Sequence, residues 1–203
     1  MFNSAQQQDE FVINMLDFKK CGYFLDIGSA DATHCNNSKY FESLNWEGIC
    51  IEFDDKYNNT YDDRNCKFLN VDALSLDYKT LFEDNNTPKD IDYLSMDIDE
   101  LSYKALLKLP FDEYKFKIIT IEHDFYLHGD SLRKKQRDLL LNRGYIIICK
   151  DVLVEQSRNL PPKATIEPFE DWYIHPEFFS EELISKIKGN KEYPSDIIMK
   201  FKK

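Results

Sequence analysis

Short apolar runs that alternate with amphipathic stretches set the tightest limit on how this chain can fold. The runs GYFLDIG (22–28), GICIEF (48–53), CKFLNV (66–71), IDYLSMD (91–97), FKIITIE (116–122) and GYIIICK (144–150) have strand length and are rich in β-branched and aromatic residues. Between them, NNSKYFESLN, LDYKTLFED, DELSYKALLKL and DSLRKKQRDLLLNR carry apolar residues at three- and four-residue spacing. Asp130 reads as the N-cap of the last of these helices and Gly144 as its stop, and Asn36 or Asn37 as the cap of the first. Continuous apolar strands joined by helices predict a mostly parallel sheet covered on both faces. DWYIH reads as a late antiparallel strand.

A length of 203 residues suits one domain. Its expected parts are an N-terminal helix (1–20), a core (22–176) and a C-terminal helix and tail (177–203). The 37 acidic against 26 basic residues give a net charge of -11, which argues against a protein whose work is gripping phosphate backbones. Five scattered cysteines without a CxxC pair argue against a disulfide framework or zinc finger. The start MFNSAQQQDEF lacks the features of a signal peptide, and no apolar run approaches a membrane span. A reducing cytoplasm is expected, the host's if a virus encodes the chain.

The strand ends carry an unusual load of acid. Asp26 and Asp31 follow the first strand, Glu52, Asp54 and Asp55 the second, and Asp72 the third. Asp97, Asp99 and Glu100 follow the fourth, and Glu122, His123 and Asp124 the fifth. Helix capping accounts for any one of these acids, but clustered carboxylates repel unless a cation, a proton or hydroxyl donors occupy the site. Open α/β sheets bind ligands at these strand ends, and an acid after the second strand suits both ribose hydroxyls. Gly28 permits close approach of a ligand, yet GSADAT is not GxGxxG, so no pyrophosphate cradle is evident. The pattern favours a nucleoside without phosphates over a dinucleotide.

FLDIGSADATHCNNSKYFESLNWEGICIEFD resembles the first cofactor segment of the FkbM-type S-adenosylmethionine-dependent methyltransferases. YLSMDIDELSYKALLKLPFDEYKFKIITIEHD is similar to that family's central segment, and LLLNRGYIIICKDV with EDWYIHP to its closing strands. The resemblance runs from Gly22 to Pro176. It departs from the family at Asp31-Ala32-Thr33, where a further glycine is common, and at Asp99-Glu100, where Glu-Gly is frequent. It implies the Rossmann-like class I methyltransferase fold, a mostly parallel seven-stranded sheet with helices on both faces, and methylation of a hydroxyl, often on a sugar. By position, Asp26, Gly28 and Ser29 would surround the methionine part of the cofactor, with Asp31 and Asp97 as further cofactor contacts. Glu52 would hold the ribose, and Asp72 with Ala73 would lie near the adenine. Phe53 either lines the adenine pocket or belongs to the core.

For methyl transfer to oxygen the protein must align the partners and accept a proton. His123 is the expected general base, with Asp97 and Glu122 beside it at the ends of adjacent strands. Asp97, Asp99, Glu122 and Asp124 also offer hard oxygen ligands for Mg²⁺ or another divalent cation. His128, Trp172, Tyr173 and His175 are candidate acceptor contacts, each with ordinary packing as its alternative. The basic run Arg133, Lys134, Lys135 and Arg137 is either a solvated helix face or a contact for the diphosphate of an activated sugar. The expected activity is O-methylation of a sugar hydroxyl in a glycan or nucleotide-activated sugar, with S-adenosylhomocysteine as product. The alternatives are an RNA ribose O-methyltransferase, disfavoured by charge, and a non-catalytic binding domain. The sequence leaves a homodimer open.

Overall fold

The computed structural model describes residues 2–154, 168–188 and 193–202. Its strands are β1 (Tyr23–Ile27), β2 (Glu47–Glu52), β3 (Lys67–Asn70), β4 (Asp90–Met96), β5 (Lys115–Glu122), β6 (Ile146–Val152) and β7 (Glu170–Ile174). They form one seven-stranded sheet in the order β3-β2-β1-β4-β5-β7-β6. Pairing is parallel from β3 through β5, and β7 is antiparallel to both β5 and β6. The order reverses beside β1, so the first strand's carboxyl end opens on the crevice where such sheets bind ligands.

The sheet is apolar on both faces because helices cover both. One side packs Tyr78 and Phe82 of α3 (Tyr78–Asp84), Ala105 and Leu106 of α4 (Ser102–Lys108) and Leu140 of α6 (Asp130–Asn142) against Leu25, Ile49 and Ile119. The other packs α1 (Gln8–Met15), α2 (Lys39–Glu42), α7 (Glu181–Ile187) and α8 (Pro194–Ile198) around Phe24, Tyr93 and Trp172. A short α5 (Phe125–His128) follows β5. The expected N-terminal helix of residues 1–20 is only the shorter α1, with Phe11, Val12 and Ile13 fully buried.

Local signals act as expected in two places and differently in a third. Asn36 Oδ1 accepts from the backbone N–H groups of Ser38 and Lys39, so this asparagine caps α2. Gly144 takes φ 89° immediately after α6, the left-handed stop expected there. Asp130 is not the cap: it is the first residue of α6, preceded by Gly129, and its carboxylate pairs with Arg133 at 2.7 Å. The basic run divides, with Lys134 and Lys135 exposed on the helix face and the two arginines turned into ion pairs. Arg133 and Arg137 both hold Asp151, at 2.5 and 2.6 Å, and Arg137 also holds Asp171 at 2.7 Å.

Phe41 ties α2 to the sheet, its ring stacked on Trp46 at 4.6 Å and edge-on to Tyr93 at 5.5 Å. Truncation leaves a cavity that this aromatic packing cannot close, so Phe41→Ala should lower stability by about 3–5 kcal/mol. The urea unfolding midpoint should fall at unchanged slope.

Candidate active site

Two cavities open at the carboxyl ends of the parallel strands and share Ala30 and Asp97 in their walls. The first, about 410 Å³, runs between the ends of β1, β2 and β3, past Gly28, Glu52, Phe53, Asp72, Ile98 and Asp99. The second, about 390 Å³, lies over β4, β5 and β7, with Asp31, Ser95, Thr120, Glu122 and Glu170 in its walls.

Gly28 is where β1 comes closest to the loop after β4. It adopts φ 81°, and a Cβ built there would lie 1.7 Å from the Asp97 carbonyl oxygen, so only glycine fits. Beside it, Glu52 accepts the backbone N–H of Ala30 at 2.9 Å and that of Asp54 at 2.8 Å, which aims its carboxylate along the cavity wall. Asp72 caps the following turn by accepting from Leu74 N–H at 2.8 Å, and with Ala73 it closes the far end. Phe53 is not core: it is 76% exposed and lines this cavity.

Three expected contacts lie beneath or beside the cleft. Asp26 is 1% exposed and Ser29 5%, and neither is among the lining residues of the two cavities. Burial, only partly offset by hydrogen bonds from Ser38 and Ser95, pushes the Asp26 carboxyl up to about 6. Ser29 Oγ instead accepts the Tyr61 hydroxyl at 2.7 Å. Asp31 does reach the second cavity, folded into a tight turn in which the Thr33 and His34 backbone N–H groups hold its pKa below the usual range.

The sheet register builds the floor of the second cavity. Asp26 pairs with Ser95, Ser95 with Thr120, and Glu122 with Glu170, so polar residues from four strands line up on one face. Asp97 opens onto the cleft yet is ringed by protein, and desolvation raises its carboxyl. Burial also pushes Glu122 far above the carboxylate range, reinforced by a hydrogen bond with Asp97. That hydrogen bond and the repulsion between the two carboxylates favour keeping a proton on the pair. Glu170, which sequence reasoning missed, accepts Gln8 Nε2 at 2.9 Å and Trp172 Nε1 at 2.7 Å, and burial pushes it up to about 8.

Alternation along β5 removes His123 from this site. Glu122 faces the cavity and His123 the opposite side, fully buried, with Nε2 3.8 Å from Asp171. Its Nδ1 accepts Phe125 N–H at 3.3 Å, and burial pulls its pKa down to about 4. This neutral, enclosed imidazole does not fit the expected general base. The expected acceptor contacts on β7 move as well. Trp172 stacks on Phe11 at 4.6 Å in the core, and Tyr173 is fully buried with its hydroxyl donating to Asp171 at 3.2 Å. Because β7 runs antiparallel, Glu170 at its start reaches the cleft and His175 lies at the opposite sheet edge, 5.1 Å from the Tyr145 ring. The His128 side chain lies outside the described residues. Of the expected metal set, carboxylate oxygens of Asp99, Glu122 and Asp124 lie within 4.8 Å of one another, and Asp97 is not part of that group.

The α1 segment completes the wall. Ala5, Gln6 and Gln8 line the second cavity, and Ser4 bridges to Cys35 across it. Asp9 anchors this arm, its carboxylate accepting the Asn3 N–H at 2.6 Å and the Ser4 hydroxyl at 2.5 Å. No strand-end pattern in the sequence announces these residues.

A folded-state pKa of about 8 for Glu170, against 4.5 when unfolded, means the native protein holds a proton that the unfolded chain releases. Stability contributed by this group is present below about pH 4.5 and lost as pH rises toward 8. Glu170→Gln should flatten that decline, by roughly 3 kcal/mol between pH 5 and 8.5 relative to wild type. Urea unfolding of both proteins at the two pH values reads the difference.

A Cβ-free approach at Gly28, an acid at the end of β2 and an acidic junction at Asp97 fit a nucleoside cofactor with a cationic centre. No curated protein matches the chain in sequence. The fold is similar to that of a candidate O-methyltransferase from Klebsiella pneumoniae (TM-score 0.57, 10% identity, 85% of this chain and 82% of that one). It is also similar to a candidate rRNA methylase from Clostridium thermocellum (TM-score 0.52, 16% identity, 89% of this chain and 99% of that one). A third similar structure is the plantazolicin methyltransferase BpumL solved with S-adenosylhomocysteine (TM-score 0.52, 13% identity, 83% of each chain). These likenesses establish the class I Rossmann-like methyltransferase fold, and no helix among the described residues is long and apolar enough to cross a membrane. Residues 60–147 match the family described as the methyltransferase FkbM domain, inside the span of the resemblance read from sequence. The chain thus has the class I methyltransferase fold and, over residues 60–147, matches the methyltransferase FkbM domain.

Proposed function

We propose that the chain is an O-methyltransferase acting on a hydroxyl of a sugar, in a glycan or a nucleotide-activated sugar. The single observation that carries this reading is the Asp97–Glu122 pair in the wall of the second cavity, next to the junction with the first. S-adenosylmethionine, when bound, supplies an activated methyl group on a cationic sulfonium. Glu52, Phe53, Asp72 and Ala73 would hold its adenosine, and Gly28, Ala30, Asp31 and Asp97 its other end. Phe53 offers an exposed ring face for stacking on the base.

A hydroxyl acceptor needs a base as the new bond forms, and a carboxylate raised by burial is a stronger base than an exposed one. The Asp97–Glu122 pair accepts that proton as a unit, Asp97 being the member that the Glu122 hydrogen bond favours as carboxylate, and Glu170 and Thr120 offer further hydrogen-bond partners to a polyhydroxyl ring. Among the described residues, no lysine or arginine lines either cavity, which supports a neutral ring in the second cavity over a phosphate-rich acceptor such as RNA. Any diphosphate would then lie outside it.

A second reading has one observation in its favour, the approach of Asp99, Glu122 and Asp124 oxygens to within 4.8 Å. Hard oxygen ligands at that spacing suit Mg²⁺, which lowers the pKa of a bound hydroxyl. Incubation with labelled donor and a panel of sugars, sugar nucleotides, glycans and RNA, with and without chelator, tests both readings. Label on a sugar hydroxyl is expected, and label on RNA alone would sink the sugar assignment. Loss of activity with chelator, restored by Mg²⁺, would select the metal version.

Glu122→Gln should lower kcat by about 100-fold or more and leave S-adenosylhomocysteine affinity within about threefold. Glu52→Ala should do the reverse, weakening cofactor affinity by about tenfold or more as the ribose acceptor is lost. Calorimetry separates the two, and the opposite pattern would overturn both assignments.

A further inference from the structure

Behind the cofactor loop lies a pair of thiols that the methyl-transfer site does not use. Cys50, fully buried on β2, and Cys66, half-buried just before β3, have Sγ atoms 3.5 Å apart with no bond between them. Cys50 Sγ also lies 3.5 Å from Ser38 Oγ and 3.9 Å from Arg64 Nη2. The Arg64 guanidinium joins this pair to the cleft. It donates to Glu42 at 2.6 Å, to the Ala32 carbonyl at 2.6 Å, to Asn36 Oδ1 at 3.3 Å and to Ser38 Oγ at 3.2 Å. Asn36 Nδ2 in turn donates to the Ser29 and Asp31 carbonyls, at 2.9 and 3.1 Å. Those two residues flank Ala30, which lines both cavities.

We propose that Cys50 and Cys66 form a redox-modification site, a dithiol that peroxide-class oxidants convert to a disulfide and that thereby loosens the cofactor loop. Cys66 is the thiol an oxidant reaches. Its sulfur attacks hydrogen peroxide, the O–O bond breaks, and a sulfenic acid and one water form. Cys50 sulfur then attacks Cys66 sulfur, the S–O bond breaks, and the departing hydroxide leaves with the Cys50 proton as a second water. Two thiols and one peroxide give one disulfide and two waters. Burial holds the Cys50 thiol well above its ordinary range and the guanidinium offsets this only in part, so the Cys50 proton leaves as its sulfur closes on Cys66 rather than before.

The disulfide changes what Arg64 can hold. A bonded pair lies at about 2.05 Å, so the sulfurs must close by about 1.5 Å, drawing the chain next to Arg64 with them. Cys50 also loses its proton, and with it any bond it donates to Ser38. The hydrogen bonds from Arg64 to Ala32 and Asn36 then lengthen, and the Ser29–Asp31 backbone loses its brace.

The affinity readout rests on the cofactor reading above, whereas the chemical readout does not. In a Cys21→Ser, Cys35→Ser background, which removes the two exposed thiols, the protein is treated with hydrogen peroxide and digested without reduction. Peptide mass spectrometry measures the Cys50–Cys66 cross-link, and calorimetry measures S-adenosylhomocysteine affinity before oxidation, after it, and after dithiothreitol. A cross-link in most chains is expected, with affinity weakened about fivefold or more and restored by dithiothreitol. Adding Cys66→Ser should abolish the response to peroxide. Absence of the cross-link, a cross-link with unchanged affinity, or a response that survives Cys66→Ser would overturn the proposal. Failure of the reduced protein to bind S-adenosylhomocysteine would instead overturn the methyltransferase reading and the coupling with it.

Discussion

A buried guanidinium governs the conformation of the cofactor edge. The Arg64 side chain is 1% exposed, and stripping water from such a charge costs several kcal/mol unless its donors are met in place. The partners come from one stretch, Ala32 to Glu42, which therefore cannot shift as a whole without leaving a buried charge unpaired. Asn36 and Tyr61 extend the constraint to Ser29 and Asp31. The loop after β1 is irregular in backbone yet held as firmly as a helix end. This is how a ligand-binding edge can be both glycine-dependent and well ordered.

The same edge is electrostatically unfavourable in a directed way. Asp97, Glu122 and Glu170 share one cavity, and burial keeps all three above their ordinary range. Carboxylates in that situation retain protons or attract a positive charge. An acidic balance across the whole chain says little about a ligand, but acids in register on adjacent strands say where a cationic group gains most.

What was legible in the sequence followed from periodicity. The six expected strands appear within two residues of their predicted ends, and the capping role of Asn36 and the stop at Gly144 hold, because these signals are local. Glu52, Asp97 and Glu122 were readable as cleft residues because a carboxyl end of a parallel strand needs no knowledge of its partner. His123 was misread because neighbouring residues on a strand face opposite sides, so one position decides between cleft and core. His175 was misread because chain direction decides which end of β7 meets the cleft. Glu170, Thr120 and Gln8 stayed invisible, since pairing across strands and the docking of α1 are long-range facts. Arg64 gave no signal at all, because the stretch that binds it lies 22 to 32 residues earlier in the chain.

The arm formed by Asn3 to Gln8 has a different consequence for how such a chain can diversify. The cofactor cavity is built wholly from segments at the ends of β1 to β4, whereas the second cavity takes Ala5, Gln6 and Gln8 from outside the sheet. On the proposed reading, donor and acceptor would be held by largely separate stretches of chain that meet at Ala30 and Asp97. Exchange of a few residues ahead of the first strand would then reshape the second cavity and leave the walls of the first unchanged.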